Sequence, residues 1–452
     1  MIEAAARLRE ATWGLPLVLL LAGAGLYLTI LLRGLQFRAL FRGVRLAFIE
    51  RDEPTAEGDI SHFQALMTAL AGGVGAGNVI GVAVALAAGG PGALFWMWVA
   101  GALAMATRFA EAVLGVRFRE TDVKGGKSGG PMQYLENGIR WGRLGRGLAL
   151  VFGGFTVLAA LGFGNGVQAH AVSTAISSVS GAPPLFVGAV TATLAGAVVL
   201  GGIRSIGRIA GLVVPVLLVA YVGAGCWVLW LEAAALPDTF RAIFGEAFGV
   251  RAAGGGVAGY TLGQVLGSGL ARGAFSSGAG IGTGAIAAAA ARTREPVRQA
   301  LVAMTAPFID TLLVGTLTGL VLLTAAPRLA GARAPDAVLM QRAFAAAFPG
   351  SIAAWFVALV LAALAFTTIL AWAYFGERSV QYVAGERAVV PFRLFFVGII
   401  PLGSVLPLEA LWAVSDALRG LMALPNLVGL VLLSGIVARE ARSRLAQPSN
   451  RR

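Results

Sequence analysis

Cysteine and histidine are almost absent from this sequence of 452 residues. It holds one cysteine, Cys226, and two histidines, so an intrachain disulfide and a thiolate metal cluster are both excluded. An integral-membrane enzyme that acts through grouped histidine, cysteine or acidic side chains is disfavoured for the same reason. The composition therefore indicates a protein that is not an enzyme.

Charged residues are scarce as well. They make up 13% of the chain against 58% apolar residues, and the mean hydropathy is +0.81. A soluble fold would need roughly 25% charged residues to coat its surface, so lipid is the expected solvent. The net charge of +13 does not indicate nucleic-acid binding, because the basic residues are neither gathered into one domain nor interleaved with exposed aromatics.

Long apolar runs alternate with short charged patches along the chain. Eleven runs are long enough to cross a membrane as helices, at about 13–32, 63–88, 92–118, 147–178, 183–201, 209–231, 257–290, 299–324, 351–383, 392–407 and 410–438. The first run could imitate a secretory signal, but it is longer than a typical signal core, and we expect a retained helix.

Basic residues are distributed unevenly between the loops. If the N-terminus lies outside, 25 of the 35 lysines and arginines fall in inside segments and 7 in outside segments. The inside segments are 33–51, 117–146, 204–208, 292–298, 378–393 and 439–452. This excess predicts a multi-pass protein of the bacterial inner membrane with a periplasmic N-terminus and a cytoplasmic C-terminus.

Two glycine-rich clusters interrupt apolar runs, at 72–78 in the second run and at 276–284 in the seventh. Glycine costs about 1 kcal/mol relative to alanine inside a helix, so each cluster indicates an unwound segment or a very close helix contact. Without the first helix, the remaining ten form two sets of five, and each set opens with a broken helix. An odd number per set gives the two sets opposite topology, the inverted repeat of many secondary transporters.

The predicted fold class is therefore an all-α polytopic membrane protein. It has about eleven helices, of which one is an extra N-terminal helix and ten form a 5+5 inverted-repeat core with two discontinuous helices. The predicted divisions are an N-terminal helix and cytoplasmic linker, a first repeat, an extracellular linker, a second repeat and a basic cytoplasmic tail, at 1–62, 63–231, 232–256, 257–438 and 439–452.

Ten short motifs resemble, in order, those of the alanine or glycine:cation symporters of bacteria and archaea. They lie at 58–66, 77–83, 89–98, 105–114, 129–132, 164–168, 271–276, 308–311, 366–372 and 421–427. The resemblance covers nearly the whole chain and implies the ten-helix core of sodium-coupled amino-acid symporters. It also implies sodium-coupled import of alanine or glycine by alternating access, with no cofactor beyond the coupling ion.

One motif departs from the family pattern. Where the family typically reads Phe-Ser-Asn-Glu-Ala-Gly, this chain has Ser277 and Gly278 in place of the amide and the acid. Proton coupling and a transport-inactive, ligand-sensing role therefore remain alternatives. A channel is disfavoured, because no continuous polar stripe or ring of like charges is present.

A zwitterionic amino acid needs polar partners inside the hydrocarbon. The residues predicted to supply contacts with it are Gly75, Ala76, Gly77, Asn78, Gln168, Phe275, Ser276 and Trp372. Backbone N–H groups at the start of a half-helix can bind its carboxylate, together with Asn78 and, as the resemblance implies, Gln168. Carbonyls near Ser276 would accept from its ammonium group, while Phe275 and Trp372 would cap a small side chain. Tight glycine packing and ordinary interhelical contacts are the alternatives.

Adjacent hydroxyls at Thr367 and Thr368 indicate a sodium site, since sodium favours hard oxygen ligands. The resemblance implies the same role, and the carbonyl of Gly73 would complete the shell. The alternative is that both threonines bond only to their own helix. Arg108 and Glu111, one helical turn apart, are expected to form an ion pair, whereas Asp310 is a candidate gate or packing residue.

Overall fold

The computed structural model describes residues 14–73, 76–248, 262–325, 337–345, 348 and 351–445, which are mostly helical. The first part forms α1 (Leu15–Leu31), α2 (Leu35–Phe48), α3 (His62–Gly73), α4 (Ala76–Gly89), α5 (Gly92–Arg117), a two-residue hairpin of β1 (Glu120–Thr121) and β2 (Lys127–Ser128), α6 (Pro131–Gly138), α7 (Gly142–Ala159), α8 (Gln168–Ser180), α9 (Pro184–Val199), α10 (Gly202–Leu231) and α11 (Leu236–Glu246). The second part forms α12 (Leu262–Ser277), α13 (Thr283–Ala289), α14 (Pro296–Ala303), α15 (Thr305–Pro307), α16 (Thr316–Thr324), α17 (Ala337–Ala345), α18 (Ile352–Ala384), α19 (Val389–Gly398), α20 (Ile400–Gly403), α21 (Leu408–Leu432) and α22 (Ser434–Leu445).

Within the described residues, six helices are long and apolar enough to cross a membrane. They are Gly92–Arg117, Gly142–Ser180, Gly202–Leu231, Pro296–Thr324, Ile352–Ala384 and Leu411–Leu432. The pair α1 and α2 would add a seventh, but α2 bends 85° away from α1. The other predicted spans consist of shorter or interrupted helices, so the polytopic fold is confirmed while the number eleven stays a prediction.

The sequence did not predict α2, because that segment is too charged to count as an apolar run. It buries Leu35, Ala39 and Leu46 on one face and presents Arg38 and Arg42 on the other. An amphipathic helix that turns sharply from a membrane span is suited to lie along the membrane surface.

The second predicted helix interruption is present, and it separates α12 from α13 at residues 278–282. The first would lie at residues 74–75, between α3 and α4 and outside the described residues, and it stays a prediction. In the second break Gly278, Gly280 and Gly282 have φ angles of 57°, 86° and 92°. Only glycine adopts this left-handed region without strain, so the glycine cluster directly produces the unwound segment.

Two spans contain a π-helical turn, at Ala160–Val167 between α7 and α8 and at Phe308–Gly315 between α15 and α16. Such turns often occur at functional sites. The first turn carries Asn165, whose amide nitrogen donates to the carbonyl of Phe396 at 2.5 Å. The second carries Asp310, whose Oδ2 would lie 3.7 Å from a β-carbon on Gly73 of α3.

Ion pairs join described parts of the segments predicted to share one side of the membrane, as between Arg298 and Glu50 and between Arg117 and Glu440. Arg204 pairs with Asp59 at the same end of the bundle. We call this end, built from residues 50–61, 117–130, 292–298, 378–386 and 439–444, the basic face.

The chain before α3 pairs with the chain after α13 across the basic face. Ile60 and Arg292 share a backbone hydrogen bond of 2.7 Å, and Arg119 donates to the carbonyls of Glu57, Ala289, Ala291 and Thr293. Lys127 bonds the Glu57 carboxylate, and this hydrogen bond lowers the pKa of Glu57. These contacts close that end of the bundle between its two broken helices.

Candidate functional site

The end of α3 lies beside the end of α12 inside the bundle. A β-carbon on Gly73, the last residue of α3, would lie 3.7 Å from both the carbonyl oxygen of Ser276 and Oδ2 of Asp310. Thr311 donates to Oδ1 of Asp310 at 2.5 Å and to the Ser276 hydroxyl at 3.3 Å. Carbonyl, hydroxyl and carboxylate oxygens from α12 and from the second π-helical turn therefore converge beside the end of α3.

A buried carboxylate on α5 fixes the shape of the second break. Oε1 of Glu111 accepts hydrogen bonds from the backbone N–H groups of Gly280 and Gly282 at 2.9 and 3.0 Å. It also accepts from the amide of Asn426, which in turn donates to the Gly280 carbonyl. The hydroxyl of Tyr134 donates to the Asn426 side chain. The backbone groups of the unwound segment that have no partner within a helix are thus bonded to side chains of α5 and α21.

Arg108 completes this network. Its Nη1 lies 3.2 Å from Glu111, as the sequence predicted, and its Nη2 donates to the carbonyl of Ser277 at 2.6 Å. A side chain at position 284 would overlap the guanidinium, so Gly284 is required there. A β-carbon on Gly278 would lie 3.2 Å from Nη2, which places the departure from the family motif directly beside Arg108.

Three aromatic rings form one wall of the site. Phe163 lies between Phe275 and Trp372, with ring centroids 6.1 and 5.3 Å apart, and Trp372 donates to the Gly72 carbonyl at 3.1 Å. A side chain at Gly164 would overlap Trp372, so this close approach depends on glycine. The structure thus brings together the two predicted aromatics and adds Phe163, which composition alone could not distinguish from other core aromatics.

Gln168 at the start of α8 is fully buried, and neither its amide nitrogen nor its amide oxygen has a hydrogen-bond partner in the described part of the chain. A buried polar group left unpaired costs about 1–3 kcal/mol. The amide nitrogen of Asn165, by contrast, already donates a hydrogen bond to the Phe396 carbonyl of α19. Of these two buried amides, Gln168 is the one whose nitrogen is available to a ligand.

The predicted sodium threonines occupy the contact between α18 and α3. Thr368 donates to the carbonyl of Ala71 at 2.8 Å and to that of Leu364 at 2.9 Å, and Thr367 donates to Leu364. Both side chains are buried. The α3 carbonyl bonded to Thr368 is thus that of Ala71, whereas Gly73, the predicted ligand, lies beside Ser276 and Asp310.

Four of the predicted substrate contacts are consecutive residues, 75–78, that follow α3 in the sequence. Gly75 lies outside the described residues, whereas Ala76, Gly77 and Asn78 form the first residues of α4. The backbone N–H groups at the start of a helix have no partner within that helix. The predicted carboxylate site at the N-terminus of α4 is therefore compatible with the fold and stays a prediction.

A cavity of about 280 Å³, which we call the vestibule, lies between α4, α12 and α21. Its lining consists of Val84, Ala85, Ala88, Ser268, Ala271, Arg272, Phe275 and Asp416. Phe275 lines the vestibule, and Ser276, the next residue, belongs to the cluster beside Gly73. The vestibule therefore leads to the contact of α3 with α12 from the end opposite to the basic face.

Arg419 on α21 is a second site residue that the sequence reasoning missed. It is 3% exposed, and its guanidinium lies 4.0 Å from the ring centroid of Phe163 and 3.9 Å from that of Phe275. An arginine within an apolar run is a signal of a functional position. The sequence places it inside a span but cannot show which rings it contacts.

Known proteins match this chain along almost its whole length. The model of the sodium:alanine symporter family matches residues 1–451. The sodium/alanine symporter of Methanococcus maripaludis is 43% identical over 435 residues, which are 95% of this chain and 94% of that protein. The probable sodium/glutamine symporter of Bacillus subtilis is 33% identical over 439 residues, 95% of this chain and 87% of that one.

Solved structures share the fold at low sequence identity. A Na+-coupled sialic acid symporter in a substrate-bound outward-open state has a TM-score of 0.59 and 15% identity, with 90% of this chain and 86% of that one covered. MhsT in complex with L-phenylalanine has a TM-score of 0.52 and 14% identity, with 86% and 99% covered. The predicted inverted-repeat transporter fold is therefore confirmed, and so is the prediction of a transporter rather than an enzyme. The chain belongs to the sodium:alanine symporter family.

Proposed function

We propose that the protein is a secondary active symporter that imports alanine or glycine together with sodium by alternating access. The observation that carries this proposal is the buried contact of the end of α3 with the end of α12, at Gly73 and Ser276. The unpartnered amide of Gln168 lies one helical turn beyond Gly164, which packs against Trp372. Such a site is where inverted-repeat transporters bind substrate and ion.

A small zwitterion fits the chemistry of this site. Its carboxylate binds the N-terminus of α4 and the amide of Gln168, and its ammonium group binds the carbonyl oxygens at the end of α12, including that of Ser276. The rings of Phe163, Phe275 and Trp372 border the side chain of the substrate. Bulky walls favour a small substrate, in keeping with the name of the Methanococcus maripaludis relative.

The sodium ion binds between α3 and α18 in this proposal. The hydroxyls of Thr367 and Thr368 and the carbonyl of Ala71 supply oxygen ligands from two helices that lie in contact. An ion that joins two elements stabilises one arrangement of them, and that arrangement presents the substrate site. Ion and substrate then strengthen each other's binding by the same factor.

The two ends of the bundle differ as alternating access requires, because one end holds a cavity and the other is held together by backbone pairing. The vestibule opens toward the site while the basic face is closed by the pairing of Ile60 with Arg292. We assign the basic face to the cytoplasm, because it collects the excess of arginine and lysine, and this places the N-terminus outside the inner membrane. Rocking of one helix set against the other would open the basic face and close the vestibule.

Binding of labelled alanine to purified protein tests the site through Gln168. We expect Gln168→Ala to weaken alanine binding by about 1–3 kcal/mol, or roughly 5- to 150-fold, since the substrate carboxylate loses a buried partner. Gln133→Ala is the matched control, because Gln133 is also a buried glutamine but bonds to Ser128 outside the site. Equal affinity in the Gln168 variant and the wild type would remove Gln168 from the substrate site.

A further inference from the structure

The guanidinium of Arg419 is buried but only partly bonded. Its Nη2 lies 3.4 Å from the carbonyl of Phe275, while Nε and Nη1 have no hydrogen-bond partner in the described part of the chain. Phe163 and Phe275 lie against the guanidinium at similar distances. The rings interact with the cation through their faces, so the free N–H groups at the edges of the guanidinium remain for a hydrogen-bond acceptor.

The position of Arg419 lies between the vestibule and the break that separates α12 from α13. Along α21, Asp416 lines the vestibule, Arg419 follows one helical turn later, and Asn426 bonds the Gly280 carbonyl two turns beyond. Along α12, Phe275 lines the vestibule, and the break begins three residues later, at Gly278. A substrate whose ammonium group binds the Ser276 carbonyl therefore lies next to the residue, Phe275, whose carbonyl Arg419 contacts.

Two arginines and one carboxylate lie around this position, so one positive charge is left over to attract an anion. The charged side chains that line the described vestibule are Arg272 and Asp416, and Arg419 adds a further positive charge. A buried charge inside a membrane protein generally pairs or marks the path of a substrate. Carboxylates are suited to arginine, because the planar fork can donate two parallel hydrogen bonds.

We propose that Arg419 binds a carboxylate on the substrate side chain, so that this transporter accepts a small acidic amino acid of the aspartate class in addition to a neutral one. This inference rests on the proposed function, because it uses the same head-group site. Arg419 would then determine specificity for the side chain, whereas the ends of α4 and α12 and the amide of Gln168 bind the amino and carboxylate groups of the substrate.

Competition against labelled alanine tests the assignment, with aspartate and its neutral isostere asparagine as the competing probes. In the wild type, we expect aspartate to bind at least about tenfold more tightly than asparagine, the gain expected of a charge-assisted hydrogen bond. Arg419→Gln should abolish that preference and lower the ratio of aspartate to alanine affinity by about tenfold or more. Arg272→Gln is the matched control, an arginine of the same vestibule, and should retain the preference of aspartate over asparagine.

Arg419→Lys tests the same point should the glutamine variant fail to fold. It keeps the charge but not the fork, and we expect it to lower the affinity for aspartate relative to alanine. Wild-type protein that binds alanine but not aspartate would overturn the inference and leave the proposed function intact. A loss of alanine and aspartate binding by equal factors in either Arg419 variant would also overturn it, since it would assign Arg419 to the head group or to the fold. Arginine-dependent binding of aspartate without binding of alanine or glycine would support the inference and contradict the neutral substrate proposed above.

Discussion

Replacing Glu111 by glutamine is expected to destabilise the protein by about 3–5 kcal/mol. The change leaves the buried guanidinium of Arg108 without the carboxylate that it contacts at 3.2 Å. Removal of one partner of a buried ion pair lowers the free energy of unfolding by about 3–5 kcal/mol. The backbone N–H groups of Gly280 and Gly282 also lose a charged acceptor. The midpoint of thermal unfolding of the purified protein in detergent measures the effect.

Glu440→Gln is the matched control for this prediction. Glu440 is bonded to Arg117, whose side chain is 50% exposed, and exposed ion pairs contribute only about 0–1 kcal/mol. The control should therefore unfold close to the wild-type temperature. If Glu111→Gln unfolded at the same temperature as Glu440→Gln, the carboxylate would not hold the break as described.

Replacing both sodium threonines by valine is expected to abolish the effect of sodium on substrate binding. Thr367→Val/Thr368→Val keeps nearly the same bulk but removes two hydroxyl ligands, so the ion can no longer join α18 to the Ala71 carbonyl of α3. Because coupling is reciprocal, the variant in sodium should bind alanine as weakly as the wild type does without sodium. Titrations of labelled alanine at several sodium concentrations measure this.

Thr156→Val serves as the control for the paired variant. Thr156 is fully buried and donates to the Phe152 carbonyl of its own helix, as Thr367 and Thr368 do to Leu364, but it lies outside the site. It should retain the full response to sodium. A response to sodium that persists in the double valine variant would place the ion elsewhere, and the oxygen cluster of Asp310, Thr311 and Ser276 would be the next to test.

The second helix break could be predicted from the sequence, because clustered glycine is unfavourable in a helix and is easily recognised in the composition. The break at 278–282 lies within the predicted cluster of 276–284. The two π-helical turns could not be predicted in this way. In a π-helix the backbone hydrogen bonds span one residue more than in an α-helix. Ala160–Val167 holds three glycines and Asn165, which indicate a weakened helix but do not specify this geometry.

The candidate site was predictable as a set of residue types but not as a set of contacts. The glycine cluster predicts Gly73 as a sodium ligand, and this stays a prediction, whereas the α3 carbonyl bonded to Thr368 is that of Ala71. Residue types do not specify which carbonyl of α3 faces a side chain of α18. Arg419 illustrates the same limit, because its two ring neighbours come from spans distant in sequence.

Uptake of labelled alanine into proteoliposomes tests the central claim most directly. With sodium outside and potassium inside, we expect alanine to accumulate above its external concentration, and accumulation should stop when sodium is equal on both sides. Thr367→Val/Thr368→Val in the same vesicles should show no accumulation. If alanine accumulated under a proton gradient without sodium, or failed to accumulate under the sodium gradient, the account of sodium-coupled symport at Thr367 and Thr368 would be contradicted.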